Sequence, residues 1–144
     1  MLRFFALAVA LGASATAVAD LPRISLSAGI HLIQAEVANT FETRARGLMY
    51  RKTMSTSEGM LFVFPSEERL CMWMRNTYLP LSVAFIDTDG AILNIEDMQP
   101  QTDDSHCAVK PARYALEMNQ GWFAKRGIRP GTKISGIEKA AGAR

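Results

Sequence analysis

Apolar positions along this chain fall into short, strand-length runs separated by Gly, Pro and polar turns, with no sustained helical period. Ile30–Ala38 (IHLIQAEVA) mixes β-branched and polar residues and predicts a strand. Met60–Phe64 (MLFVF) predicts a buried strand that Pro65 ends. Leu70–Arg75 alternates, with Leu70, Met72 and Met74 on one face and Cys71, Trp73 and Arg75 on the other. Leu81–Asp87 is apolar on both faces, the pattern of a central strand. Asp89-Gly90 is a two-residue hairpin signal, and counting outward pairs Ile86 with Leu93 and Ala84 with Ile95, so Ala91–Asp97 is the next strand. Arg113–Met118 and Gly131–Ile137 complete the strands, the former with Tyr114, Leu116 and Met118 on one face and Ala115 and Glu117 on the other.

Helical signals are few. Asn39 followed three residues later by Glu42 makes a capping box for a short helix over about Thr40–Arg46, which Gly47 ends in a left-handed conformation. Gly121–Gly127 has room for one helical turn. Gln99–Lys110 is polar, contains Pro100, and predicts a long loop. Short strands, turns and two small helices, with no β-α-β alternation, predict a mainly-β fold at the margin of α+β: a compact antiparallel sandwich or barrel.

The N-terminus sets the compartment. Arg3, the apolar run Phe4–Leu11 and the small-x-small triplet Ala17-Val18-Ala19 form a cleavable signal peptide, so the expected organisation is 1–19 signal, 20–29 lead, 30–137 one mainly-β domain and 138–144 flexible tail. The apolar run falls short of the roughly 20 residues that cross a bilayer, and a periplasmic or secreted protein with no membrane span after processing is expected. The formal charge of the full chain is only +2. Its basic residues are scattered, which gives no footprint for nucleic acid.

Cys71 and Cys107 both lie in the exported part. An even count in an oxidising compartment predicts a disulfide, worth about 4 kcal/mol at most for a loop of this length by chain-entropy arithmetic.

A set of short stretches then falls in a familiar order: Gly47-Leu48-Met49, Gly59-Met60-Leu61-Phe62, Trp73-Met74-Arg75-Asn76-Thr77, Pro80-Leu81, Asp87-Thr88-Asp89-Gly90, Leu116-Glu117 and Gly121-Trp122. Together, over about Ile30–Ile137, they resemble the family known as domain of unknown function 192. The resemblance implies a compact, mainly-β, often exported protein with no established activity, and it supplies no catalytic residue. The position after Pro80-Leu81 is often aspartate in that family and is Ser82 here, so no carboxylate role carries over to it.

The chemistry-bearing residues allow three readings. In the first, Trp73 is an aromatic wall and Arg75, Asn76 and Thr77 are convergent donors, with Arg46, Asp87 and Glu117 as further candidates. Together they would form a non-catalytic site for a small anionic or polyhydroxylated ligand, or for an envelope protein partner. In the second, Asp87 and Glu117 act as acid and base in a small envelope enzyme. Against it, Arg46, Arg75 or Arg113 would pair with carboxylates set in apolar strands. In the third, Met72 and Met74, on one strand face, hold copper; core packing is the competing role for methionine. His31 and His106 lie outside any nucleophile motif such as G-x-S-x-G. The balance is for binding without catalysis, with no cofactor and no metal. Intact-mass analysis of protein recovered from the periplasm without reductant should give a chain beginning at Asp20 and lighter by two hydrogens than its dithiol form; two alkylatable thiols would refute the pairing.

Overall fold

The computed structural model describes residues 20–144, and the expected signal peptide at 1–19 lies outside the described residues. Nine strands and two short helices follow one another as β1 (Arg23–Ala28), β2 (His31–Ala38), α1 (Phe41–Arg46), β3 (Glu58–Glu68), β4 (Cys71–Met72), β5 (Leu81–Ile86), β6 (Ile92–Met98), β7 (His106–Cys107), β8 (Ala112–Asn119), α2 (Trp122–Lys125) and β9 (Ile134–Ser135). Seven strands form one sheet in the order β6-β5-β8-β3-β2-β1-β9, while β4 and β7 make a separate two-stranded ribbon. The fold is mainly β, as the pattern predicts. The large sheet departs from a purely antiparallel one at the β2–β3 pair, which is parallel.

The sheet curls until its ends meet. Ile134 N–H donates to the Gly90 carbonyl (2.8 Å), Ile92 N–H to the Thr132 carbonyl (2.9 Å) and Gly131 N–H to the Ile92 carbonyl (2.7 Å). Inside the curl lie Leu26, Ile33, Val37, Leu61, Ala84 and Leu116, plugged at one end by Trp122 and Phe123 of α2. A second core covers the outer face, where Met60, Phe62, Leu81, Val83, Phe85 and Ala115 pack under Leu48, Leu70, Met74 and Leu79 from the connecting segments. This explains the doubly apolar β5: all six of its residues are buried, because each face has a core against it.

Several local expectations change. β1 occupies part of the expected N-terminal lead and pairs with β2 over its whole length. β3 runs through Pro65 as far as Glu68, with a register shift after Val63 that removes the need for a proline donor there. The Val63 carbonyl is taken instead by Arg44 Nη1 of α1 (3.0 Å). The cap of α1 is Thr40 with Thr43, one residue later than Asn39 with Glu42. Asn39 is used elsewhere: its amide donates to the Ala141 and Gly142 carbonyls (both 3.3 Å), and Arg144 N–H donates to its carbonyl (2.7 Å). These bonds bring the 141–144 segment, expected as a flexible tail, against the end of β2. Gly47 has the expected positive φ, but at ψ −134 rather than in the left-handed helical well.

The Asp89-Gly90 hairpin keeps the Ala84–Ile95 pairing, but a bulge places Ile92, not Leu93, opposite Ile86. The expected β4 span shortens to two residues. The loop containing Cys107 supplies β7, which sets Cys107 directly opposite Cys71 in a disulfide. The expected final strand shortens to β9, followed by a 3-10 turn at Ile137–Lys139.

β3 and β8 approach closely at Gly59. A Cβ there would stand 2.3 Å from Met118 Sδ and 2.5 Å from the Glu117 carbonyl oxygen. The sulfur could swing away; the carbonyl could not without moving β8. Gly59→Ala should cost about 1–3 kcal/mol in urea unfolding, the usual penalty of overpacking, and an unchanged midpoint would contradict this packing.

Candidate functional site

One row of side chains crosses the outer face of the sheet. Register places Arg23 beside Glu36, Glu36 beside Met60, Met60 beside Glu117 and Glu117 beside Val83. Two carboxyl groups are thus buried on one face with a methionine between them, and they are treated in opposite ways. Glu36 receives Arg51 Nη1 at 2.5 Å and Arg23 Nη2 at 3.8 Å. Glu117 is 3 % exposed and has no ion pair or side-chain hydrogen bond among the described residues. Burial alone pushes its carboxyl up to about 8, so at neutral pH it is mostly the protonated acid, carrying one O–H donor and a carbonyl acceptor.

Glu117 sits in a crevice of about 40 Å³ whose walls include Gly47, Leu48, Met49, Phe62, Trp73 and Thr77. That is room for a water or one hydroxyl-sized group. The walls have clear local causes. Gly47 ends α1 at positive φ, and a Cβ there would meet the Phe62 ring at 3.1 Å, so glycine lets the chain turn against Phe62 and drop Leu48 into the outer core. Four of the stretches that carried the family resemblance, at 47–49, 59–62, 73–77 and 116–117, contribute residues to this one crevice.

The Trp73–Thr77 stretch is a tight turn, and its polar side chains do not converge as donors. Thr77 is buried; its hydroxyl donates to the Arg75 carbonyl (3.1 Å) and its N–H to the Met74 carbonyl (3.1 Å). Asn76 takes the left-handed corner at φ 53, which asparagine tolerates, and its carbonyl accepts the Tyr50 N–H (2.9 Å). Arg75 makes a bidentate pair with Asp103 (3.1 and 3.0 Å), whose hydrogen bonds hold the Asp103 carboxyl below its ordinary range. The same guanidinium lies 4.0 Å from the centre of the Trp73 ring. Arg75 therefore braces the tryptophan, which remains 45 % exposed.

The two carboxylates considered together in the sequence are apart. Glu117 stands opposite Val83, and Asp87 lies four residues further along, about 13 Å at strand rise. Asp87 Oδ1 accepts the Asp89 and Ala91 N–H groups (both 2.9 Å), which makes it the organiser of the hairpin turn. The expected arginine pairing is found for neither: among the described residues, Arg46, Arg75 and Arg113 make no ion pair with Asp87 or Glu117. Arg46 lines both the crevice and a neighbouring cavity that contains Glu36 and Arg51.

Met74 is fully buried in the outer core and Met72 packs against the same core while lining the crevice, the packing role expected of methionine. Among the described residues no three His, Cys, Asp or Glu side chains group as a metal site. His31, half-buried, packs edge-on against Trp122, and His106 pairs across from Met72. Ser82 uses its hydroxyl to accept the Gly121 N–H (2.9 Å) and to donate to Asp97 (2.6 Å), so a carboxylate does stand at this point, supplied by the neighbouring strand.

Sequence reasoning placed Glu117, Trp73, Thr77 and Arg46 among the candidates, and all four line the crevice, but it missed Glu36, Arg51 and Asp103. Glu36 alternates with apolar positions of β2, a pattern that by itself reads as a solvent-facing carboxylate, so its burial carried no local signal.

Curled sheet, covered outer face and unpaired carboxyl beneath the cover define a small, mainly-β class of protein. The chain belongs to the family DUF192, described as "Uncharacterized ACR", whose model matches residues 24–136. It is similar to a solved structure from Sinorhizobium meliloti described as a "putative transcription regulator", at 34 % identity and TM-score 0.77, covering 83 % of this chain and 97 % of that one. A protein of unknown function from Novosphingobium aromaticivorans is similar at 30 % identity and TM-score 0.76, covering 88 % and 99 %. No curated protein matches the chain.

The raised Glu117 carboxyl sets the sign of a pH dependence. Between its ordinary value of 4.5 and about 8 the folded state retains a proton that the unfolded state has released, so stability falls as pH rises through that window and levels off above it. Glu117→Gln should flatten the profile and be more stable than the parent at pH 9 by on the order of a few kcal/mol; parallel pH profiles for the two proteins would show that Glu117 ionises freely.

Proposed function

We propose that this is an exported, non-catalytic binding protein whose ligand places a neutral hydroxyl-bearing group against Glu117. One observation carries the reading: a buried carboxyl at the end of a narrow crevice has no partner from the described residues. A carboxyl that opens on such a crevice takes its partner from what enters it, a water or a ligand hydroxyl. A protonated carboxyl both donates and accepts, which complements an alcohol. Of the two classes considered from sequence, polyhydroxylated ligands fit better than anionic ones, because Arg75 is held by Asp103 and Arg44 by the Val63 carbonyl. Arg46 alone does not make an anion clamp.

The perturbed carboxyl also favours a second reading, in which Glu117 acts as a proton donor in an envelope enzyme. Its expected partner, Asp87, is engaged in the hairpin turn, so this reading rests on Glu117 alone. The regulator description of the Sinorhizobium protein is not adopted: the near-neutral charge and the six-residue α1 offer no support for reading a nucleic-acid groove.

Carbon-13 NMR of glutamate-labelled protein tests the proposal directly. Glycerol, glucose and N-acetylglucosamine should include a ligand that shifts the Glu117 carboxyl signal, and Glu117→Ala should weaken its binding at least tenfold, as loss of a buried hydrogen-bonding group does. A Glu117 signal that responds only to phosphate or citrate would refute it.

A further inference from the structure

We propose that the crevice and the aromatic cleft beside it form one extended site for the end of a neutral sugar chain: a hydroxyl-bearing arm of the terminal residue enters at Glu117, and the pyranose rings behind it lie across Trp73, Phe64 and Phe41. This rests on Glu117 being the ligand group, and adds the ligand's class and its direction across the surface.

The two spaces adjoin, with Arg44, Ala45, Phe62, Met72 and Trp73 lining both. The cleft has a volume of about 500 Å³, within the range of sites that enclose ring-sized ligands. Its lining is predominantly apolar: Phe41, Phe64, Pro65, Met72 and Trp73. Phe41 opens α1 with 74 % of its surface exposed and belongs to neither core. Nothing in the fold requires an aromatic ring there.

The other two rings are held in place by arginines. Arg75, fixed by Asp103, covers Trp73 at 4.0 Å, and Arg44, fixed by the Val63 carbonyl, lies 5.5 Å from the centre of the Phe64 ring. Braced rings of this kind lose little side-chain freedom on binding. Pyranose rings present C–H groups on their faces, which the negative face of an aromatic ring attracts, and hydroxyls at their edges, within the chemistry of Arg44 and Glu117.

The opposite exit from the crevice is chemically different. That cavity, about 510 Å³, sets Leu21, Met49 and Tyr50 among the charged Asp20, Glu36, Glu42, Arg46 and Arg51, with Glu36 and Arg51 already paired. Apolar ring faces would desolvate those charges for no return, so the chain runs towards Phe41.

Titrations of the oxidised chain from Asp20 to Arg144 with glucose- and N-acetylglucosamine-based monosaccharides and tetrasaccharides test this, read by Trp fluorescence and the Glu117 carboxyl signal. At least one neutral tetrasaccharide should bind ten or more times tighter than its monomer, and Phe41→Ala or Trp73→Ala should bring that ratio close to one. Phe41 is exposed, so its variant should keep the parent melting temperature. Equal affinity for monomer and tetramer, with the Glu117 signal responding to both, would overturn the chain site and leave the hydroxyl-binding reading standing. Preference for a uronic-acid tetrasaccharide would overturn its neutral character. Silence of the Glu117 signal to every sugar would overturn both.

Discussion

A sheet that is apolar on both faces cannot be left with one face in water. In this protein the inner face is closed by curling the seven strands until Gly90–Ile92 meets the 131–134 segment, and by the α2 plug. The outer face has only the small β4–β7 ribbon and connecting segments to close it. It is covered by the segment after α1, by the stretch from Leu70 to Leu79, and by Ala108, and each of these inserts apolar side chains into the outer core. Everything of chemical interest lies at the seam between those covering segments. Glu117 is buried because the cover lies over it, and it still reaches a crevice because two of those segments, the one after α1 and the Trp73 turn, meet above it.

The disulfide belongs to that cover and not to the main sheet. Cys71 and Cys107 join β4 to β7, the ribbon that leads directly into Trp73. Loop-closure stabilisation is the general expectation for such a bond. Here its local effect is to fix the starting point of the Trp73 turn, whose other end is held by the Gln101 N–H on the Thr77 carbonyl and by Met74 N–H on the Thr102 carbonyl. The aromatic wall is therefore anchored from both sides before Arg75 and Asp103 brace its ring.

Much of this was legible in the sequence where the cause was local. The alternation of β8 put Glu117 on the face opposite Leu116, and the doubly apolar run of β5 announced two covered faces. The Asp89-Gly90 signal gave the hairpin and most of its register. The failures share a different cause, in that they depended on distant partners. Asn39 looked like a cap because its bond to the 141–142 carbonyls lies about a hundred positions away. Pro65 looked like a strand end because the bulge that accommodates it is set by β8. Arg75 looked like a ligand donor because Asp103 lies in a loop with no periodicity. For the site, the residue types could be named, but whether each carboxyl would find an arginine could not, and Glu36 and Glu117, equivalent by pattern, went opposite ways.

The single parallel pair in the sheet has a consequence of its own. Antiparallel neighbours can be joined by a tight turn, but parallel ones need a long excursion to bring the chain back to the starting end. Between β2 and β3 that excursion is residues 39–57, and it is this stretch that supplies α1, Gly47, Leu48 and Met49. One wall of the crevice is thus a geometric by-product of strand order, present in any chain that keeps this topology. Its ends are pinned by sheet hydrogen bonds, while its middle answers only to the surface it covers. Exchange of that one segment between relatives would therefore rebuild one wall of the crevice and leave the curled sheet alone, with residues 39 and 57 as the natural junctions for such chimaeras.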